Sequence, residues 1–116
     1  MAVDVLLDWS SVKKFHKVVC GIHTKNSVVL SLLCNFDQSG PYPNRKLANK
    51  IIYYIGAQTP SGGFKALVSM FNKPDSLRVY EKKAVNKWLD LGNYKVSAIG
   101  DVSVEGYVPI ELTKSS

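Results

Sequence analysis

The sequence predicts an α+β fold built on a curved, barrel-like and mostly antiparallel sheet with two or three short helices. Three observations lead there. Five or six strand-like stretches are interrupted by only two clear helical ones. Those helices do not alternate with the strands, which argues against a doubly wound parallel sheet. The stretch Ser27–Cys34 is apolar along nearly its whole length, and such a strand needs cover on both faces or a place within a barrel.

The elements follow in order. Val3–Trp9 reads as a strand or as the lead-in to a helix, with Ser10 or Ser11 as its cap. Val12, Phe15 and Val19 recur at helical spacing with Lys13, Lys14 and Lys17 mostly outward, so a short amphipathic helix is expected, with His16 at the surface beside its apolar face. Gly21–Asn26 turns the chain into the apolar strand Ser27–Cys34. Gly40, Pro41 and Pro43 then exclude regular structure from a polar, basic loop. Lys50–Tyr54 is a second strand ended by Gly56. Phe64, Leu67, Val68 and Phe71 fit the i, i+3, i+4, i+7 pattern of a helix stopped by Asn72 and Pro74. Ser76–Lys82 alternates as a half-exposed strand. Lys87–Asn93 carries Trp88 and a Leu91-Gly92 turn, Tyr94–Ile99 alternates again, and Tyr107–Leu112 closes the set, leaving Thr113–Ser116 as a loose tail.

Composition narrows the class. The chain has 116 residues, 46% hydrophobic and 21% charged, which fits a single domain spanning residues 1–116 with a core of its own. Fifteen Lys and Arg against nine Asp and Glu give a net charge of +6, which favours a polyanionic partner. The N-terminal MAVDVLLDWSS has no basic residue ahead of its apolar run and does not read as a signal peptide, and no stretch approaches transmembrane length. Cys20 and Cys34 lie in apolar stretches and read as buried free thiols in a reducing compartment. An intracellular, cytoplasmic, nucleic-acid-associated protein with no membrane partner is expected.

Motifs for catalysis are scarce. There is no G-x-S-x-G, P-loop or G-x-G-x-x-G motif, and His16, His23 and the two cysteines lack the spacing of a zinc site. No cofactor or metal is expected. Asp75 with Glu81-Lys82-Lys83 imitates a nuclease signature in which two acids hold a metal. Along one unbroken strand, however, those acids would stand about 20 Å apart at ~3.3 Å per residue, too far to share an ion.

The stretch Phe36–Gly56 is different. Phe36-Asp37 opens it and Tyr54-Ile55-Gly56 closes it, with aromatic and basic residues between. Stacked aromatics and phosphate-binding cations are the two ingredients of nucleic-acid affinity. Tyr53 and Tyr54 alternate across a strand, so one of them belongs to the core.

From Gly21 onward the order of segments resembles the SRA (SET- and RING-associated) domain, in the compact versions attached to modification-dependent restriction enzymes. The resemblance rests on Gly21-Ile22, Val28–Leu33 leading to Phe36-Asp37, Tyr54-Ile55-Gly56, Ala66-Leu67, Leu77-Arg78-Val79, Tyr94-Lys95-Val96 and Pro109–Leu112. It implies a PUA-like curved sheet and a non-catalytic module that flips a modified cytosine out of duplex DNA. Carried over by position, Phe36 and Tyr54 would be the two rings that sandwich the base. Asp37 would accept from its exocyclic amine, with Ile55 and Gly56 completing the pocket. Tyr42, Asn44, Arg45, Lys46, Lys50 and Arg78 would contact the DNA backbone or groove. A nuclease domain or subunit is the implied companion. Ile55 stands where the family commonly has threonine, Asp37 is followed by Gln38 rather than further acids, and only seven residues separate Gly56 from Phe64, too few for the finger some members push into the duplex. An RNA-binding PUA-like module and a protein-interaction factor are the alternative expectations.

Overall fold

The computed structural model describes residues 6–18, 21–26, 28–36, 44–56, 63–71, 73–104 and 106–115. Their elements run α1 (Trp9–Val12), β1 (Ile22–Lys25), β2 (Val28–Cys34), β3 (Arg45–Lys46), β4 (Lys50–Gly56), α2 (Gly63–Ser69), β5 (Leu77–Ala84), β6 (Lys87–Ile99) and β7 (Tyr107–Lys114). Among the described residues the seven strands form one sheet in the order β1-β2-β5-β6-β7-β4-β3. Every pairing is antiparallel except β2 with β5, which run parallel. This is the mostly antiparallel sheet with two short helices that the sequence predicts.

The sheet curls so that one face becomes the core. Val29, Leu32 and Cys34 of β2, Ile51, Tyr53 and Ile55 of β4, Leu77 and Val79 of β5, and Val108, Ile110 and Leu112 of β7 all enter one buried cluster. In β4 the buried positions alternate with half-exposed Ile52 and Tyr54, the period-2 signature of a strand with one face inside. The helix α2 seals the cluster with Ala66, Leu67 and Met70, and Phe64 packs at its edge. Val68 and Phe71, expected inside, are exposed. The helix ends after two turns, and Ala66 and Met70 form the i, i+4 row that meets the sheet.

The curl is visible in contacts between strands that are distant in the sheet. Lys46 on β3, at one edge, pairs with Glu81 on β5, four places away in the strand order. A Cβ added to Gly21, just before β1, would lie 3.9 Å from the Tyr53 hydroxyl of β4.

Several expectations change. His16 is fully buried, and its Nδ1 shares a 2.6 Å hydrogen bond with Ser31 Oγ on β2. The residues after α1 therefore cover the outer face of β2 instead of forming a longer helix, which explains why β2 is apolar on both faces. Asp8, not a serine, caps α1: its side chain accepts from Ser11 N at 2.9 Å, and these bonds hold its carboxyl below the usual value. Ile22–Lys25 is a strand rather than a turn, reversing through Asn26 at φ +53°. Lys87–Ile99 is one continuous strand. Its Leu91-Gly92 step is a bulge, where pairing passes from Val79↔Gly92 to Tyr80↔Asp90 and Gly92 takes φ +92°. The expected loose tail is partly ordered, since Thr113 pairs with Lys95 and with Lys50. Cys34 is a free, buried thiol pushed far above its ordinary pKa, first by burial and then by the Glu81 carboxylate; Cys20 lies outside the described residues.

The β6–β7 reversal is tight. Gly100 N donates to Pro109 O at 2.9 Å, and a Cβ on Gly100 would come within 2.6 Å of Pro109 Cγ. Gly100→Ala should therefore lower stability by about 1–3 kcal/mol through overpacking, and the melting temperature by roughly several degrees, in thermal denaturation followed by circular dichroism.

Candidate functional site

The parallel pair β2–β5 places Cys34 beside Glu81, and both strands end in the same region. Just beyond Cys34, Asn35 and Phe36 leave the sheet. With Glu81, Lys82, Lys83 and Ala84 they line an open cavity of about 420 Å³. Phe36 packs one side against the core cluster, so its ring is anchored by apolar contact while it borders the cavity.

Lys46, from β3, contacts two of the residues that line this cavity. Its Nζ lies 2.5 Å from Glu81 Oε1 and 5.7 Å from the centre of the Phe36 ring. Lys83 Nζ approaches the other Glu81 oxygen at 3.4 Å. Glu81 is 7% exposed, so its carboxylate is largely removed from water and compensated by two ammonium groups. Its charge is felt nearby: Tyr94 is raised above the ordinary tyrosine value by burial first, then by Cys34 and Glu81.

Each end of the Phe36–Gly56 stretch has a link to β3 or to the residue just before it, and Tyr54 is not among the described residues that line the Phe36 cavity. Two residues before Lys46, the buried Asn44 accepts a 2.8 Å hydrogen bond from the backbone N–H of Tyr54. Phe36, Lys46, Asn44 and Tyr54 thus follow one another by direct contact and short chain connection. Tyr54 is half-buried and lies opposite Pro109, whereas Tyr53 turns into the core. Ile55 also enters the core, on the face opposite Tyr54, and Gly56 pairs with Tyr107 at the strand end. Asp37 and Tyr42 lie outside the described residues.

The expected cations differ in their surroundings. Lys50 Nζ stands 2.9 Å from Glu111, and Arg78 Nε stands 3.1 Å from Asp90. Arg78 also lies over the Phe15 ring at 5.8 Å, on the outer face that the N-terminal segment covers. Arg45 is exposed and has no acidic partner among the described residues. Glu81 was singled out by sequence only as half of a metal pair. It is instead a cavity wall, and Asp75 is exposed ahead of β5. Among the described residues no group of three or more His, Cys, Asp or Glu is placed to hold a metal. No helix among them is long and apolar enough to cross a membrane. The one signal that could have marked Glu81 is an acid at the end of an apolar strand, followed by two lysines.

No protein-family model matches the chain, and no curated protein matches it. Solved structures do. The chain is similar to the SUVH5 SRA domain in its complex with hemi-methylated CG DNA, at TM-score 0.76 and 18% identity over 99% of this chain and 90% of that one. The SUVH5 SRA domain bound to fully hydroxymethylated CG DNA gives 0.75 and 17%, covering 98% and 90%. Arabidopsis thaliana SUVH6 in complex with SAM gives 0.71 and 21%, with 97% of this chain covering 26% of that one. The fold is that of an SRA domain.

The Lys46–Glu81 pair can be tested by charge reversal. Lys46→Glu and Glu81→Lys should each lower the melting temperature, and the double variant should recover part of the loss. Lys46 is partly exposed and screened, so the coupling in a double-mutant cycle should be about 1 kcal/mol.

Proposed function

From this SRA fold we propose that the chain is a non-catalytic module that binds duplex DNA and recognises a modified cytosine by flipping it into an aromatic pocket. The observation that carries the proposal is the Phe36 cavity: an anchored aromatic ring, a buried carboxylate and several lysines gathered at one mouth of the curled sheet. Similar folds are seen in SRA complexes with methylated and hydroxymethylated DNA, which supports the same class of ligand here.

The chemistry follows from the parts. Taking a base out of the stack costs a few kcal/mol, which must be regained inside the protein. Phe36 offers one stacking face and Tyr54 the other, each worth ~1–3 kcal/mol against a base. Asp37, directly after Phe36, is the acid that accepts from the cytosine amine. Asn44 fixes the backbone of Tyr54 and so the ring that depends on it. Arg45, Lys46, Lys50, Arg78 and Tyr42 supply contacts to the phosphates and groove, which raise affinity without reading sequence. A separate nuclease chain or domain would supply cleavage where the module serves restriction.

Two variants separate these roles in fluorescence-anisotropy titrations of matched duplexes. Tyr54→Ala should reduce the preference for methylated over plain duplex roughly tenfold, the loss of one stacking contact. Arg45→Ala should weaken both duplexes equally and make the salt dependence shallower by about one phosphate contact, ~0.9 in the log–log slope. Equal affinity of the unaltered protein for plain, methylated and hydroxymethylated duplexes would sink the proposal.

A further inference from the structure

We infer that Glu81, held by Lys46 and Lys83 on the wall of the Phe36 cavity, is a specificity-determining residue that selects an amino-bearing base over its keto counterpart. The inference rests on the base-flipping reading and names a second acid for the same pocket, one carried by β5.

Position comes first. Glu81 is paired across the parallel ladder with Cys34, two residues before Phe36, so its carboxylate is set by two regular strands and not by the loop. It lines the same cavity as Phe36. One lysine bridges the two groups: Lys46 Nζ is within 2.5 Å of Glu81 Oε1 and 5.7 Å of the Phe36 ring centre. A base stacked on Phe36 would take the ring face over which Lys46 Nζ lies, and the displaced ammonium and the Glu81 carboxylate would be the polar groups beside its edge.

Chemistry decides what that edge must be. A carboxylate only accepts hydrogen bonds, and an ammonium only donates. The pair offers an acceptor beside a donor. Cytosine presents the complement at adjacent positions, an N4 amine that donates and an N3 that accepts. Thymine presents a 4-keto oxygen that accepts and an N3–H that donates, in the reverse order. Set against the Glu81 carboxylate, the keto oxygen would face like partial charge in a site with little water, and that penalty is the source of selection.

Burial strengthens the effect. Glu81 is 7% exposed, whereas Lys82 and Lys83 are exposed. Lys82 points a charge towards solvent where phosphates can reach it, while Lys83 stays paired with Glu81, which remains inside. The same strand end then carries a reading group within and an anchoring group without.

The test uses the full chain and duplexes that carry, opposite guanine at one position, either 5-methylcytosine or thymine. The two bases share the methyl group and differ at position 4 and in the N3 proton. The cost of opening each pair is a property of the DNA, so it cancels when variant and unaltered protein are compared as a ratio of affinities. Glu81→Gln should reduce the 5-methylcytosine:thymine ratio at least tenfold. Should Glu81→Gln fail to fold with Lys46 left unpaired, the Lys46→Gln/Glu81→Gln double variant removes that charge and must show the same fall in ratio. Asp37→Asn, measured alongside, must leave a residual preference that Glu81→Gln abolishes in combination. An unchanged ratio in a folded Glu81 variant overturns the inference and leaves base flipping standing, provided the unaltered protein prefers methylated over plain duplex. Absence of that preference in the unaltered protein overturns both.

Discussion

A single sheet with one short helix on it can hide its apolar face only by curling onto itself. Most of this structure answers that constraint. The inward faces of β2, β4, β5 and β7 meet in one buried cluster, and α2 fills the gap that the curl leaves. Among the described residues the sheet remains open, with β1 and β3 at its two ends. Such ends are exposed pairing edges unless they are short, charged or covered. Here β3 has two residues, Arg45 and Lys46, and Lys46 clasps Glu81 on β5. That clasp brings the strand edge next to the carboxyl end of the parallel pair, and the candidate site forms where they meet.

The placement explains why the site is polar although it grows from the core. Phe36 stands two residues past the end of β2, after Asn35, far enough to leave the ladder but not to lose contact with the cluster. Glu81 is the fifth residue of β5, the last before the strand turns exposed. A buried carboxylate is costly unless compensated, and two lysines from different elements do so. Two residues before Lys46, Asn44 is itself buried and its side-chain oxygen accepts from the Tyr54 backbone N–H. Phe36 is therefore held by its contact with the cluster, and the Tyr54 backbone by Asn44.

Much of this was legible in sequence, and the misses have common causes. The alternating strands and the uniformly apolar β2 gave a curved antiparallel sheet, because side-chain period reports which faces are buried. The order of short segments pointed to the SRA fold although each segment alone was weak. Helices were read less well. Val12, Phe15 and Val19 suggested periodicity, yet the chain after Val12 is held by the His16–Ser31 bond to a strand 15 residues away, which no local pattern contains. In α2 the helical period was right and its face was rotated, since Val68 and Phe71 are exposed and Met70 is not. Gly92 looked like a turn because a glycine at positive φ serves turns and bulges alike. Glu81 was the largest omission at the site. Its partner Lys46 is 35 positions away and meets it only after the sheet has curled.

Direct observation of base extrusion tests the central claim most closely. A duplex carrying 2-aminopurine as the neighbour of 5-methylcytosine reports local unstacking as increased fluorescence. At saturating protein the methylated duplex should brighten strongly, whereas a plain duplex brought to saturation at higher concentration should stay dim. Saturated binding of the methylated duplex with unchanged fluorescence would contradict the account, because the modified base would then have remained in the stack.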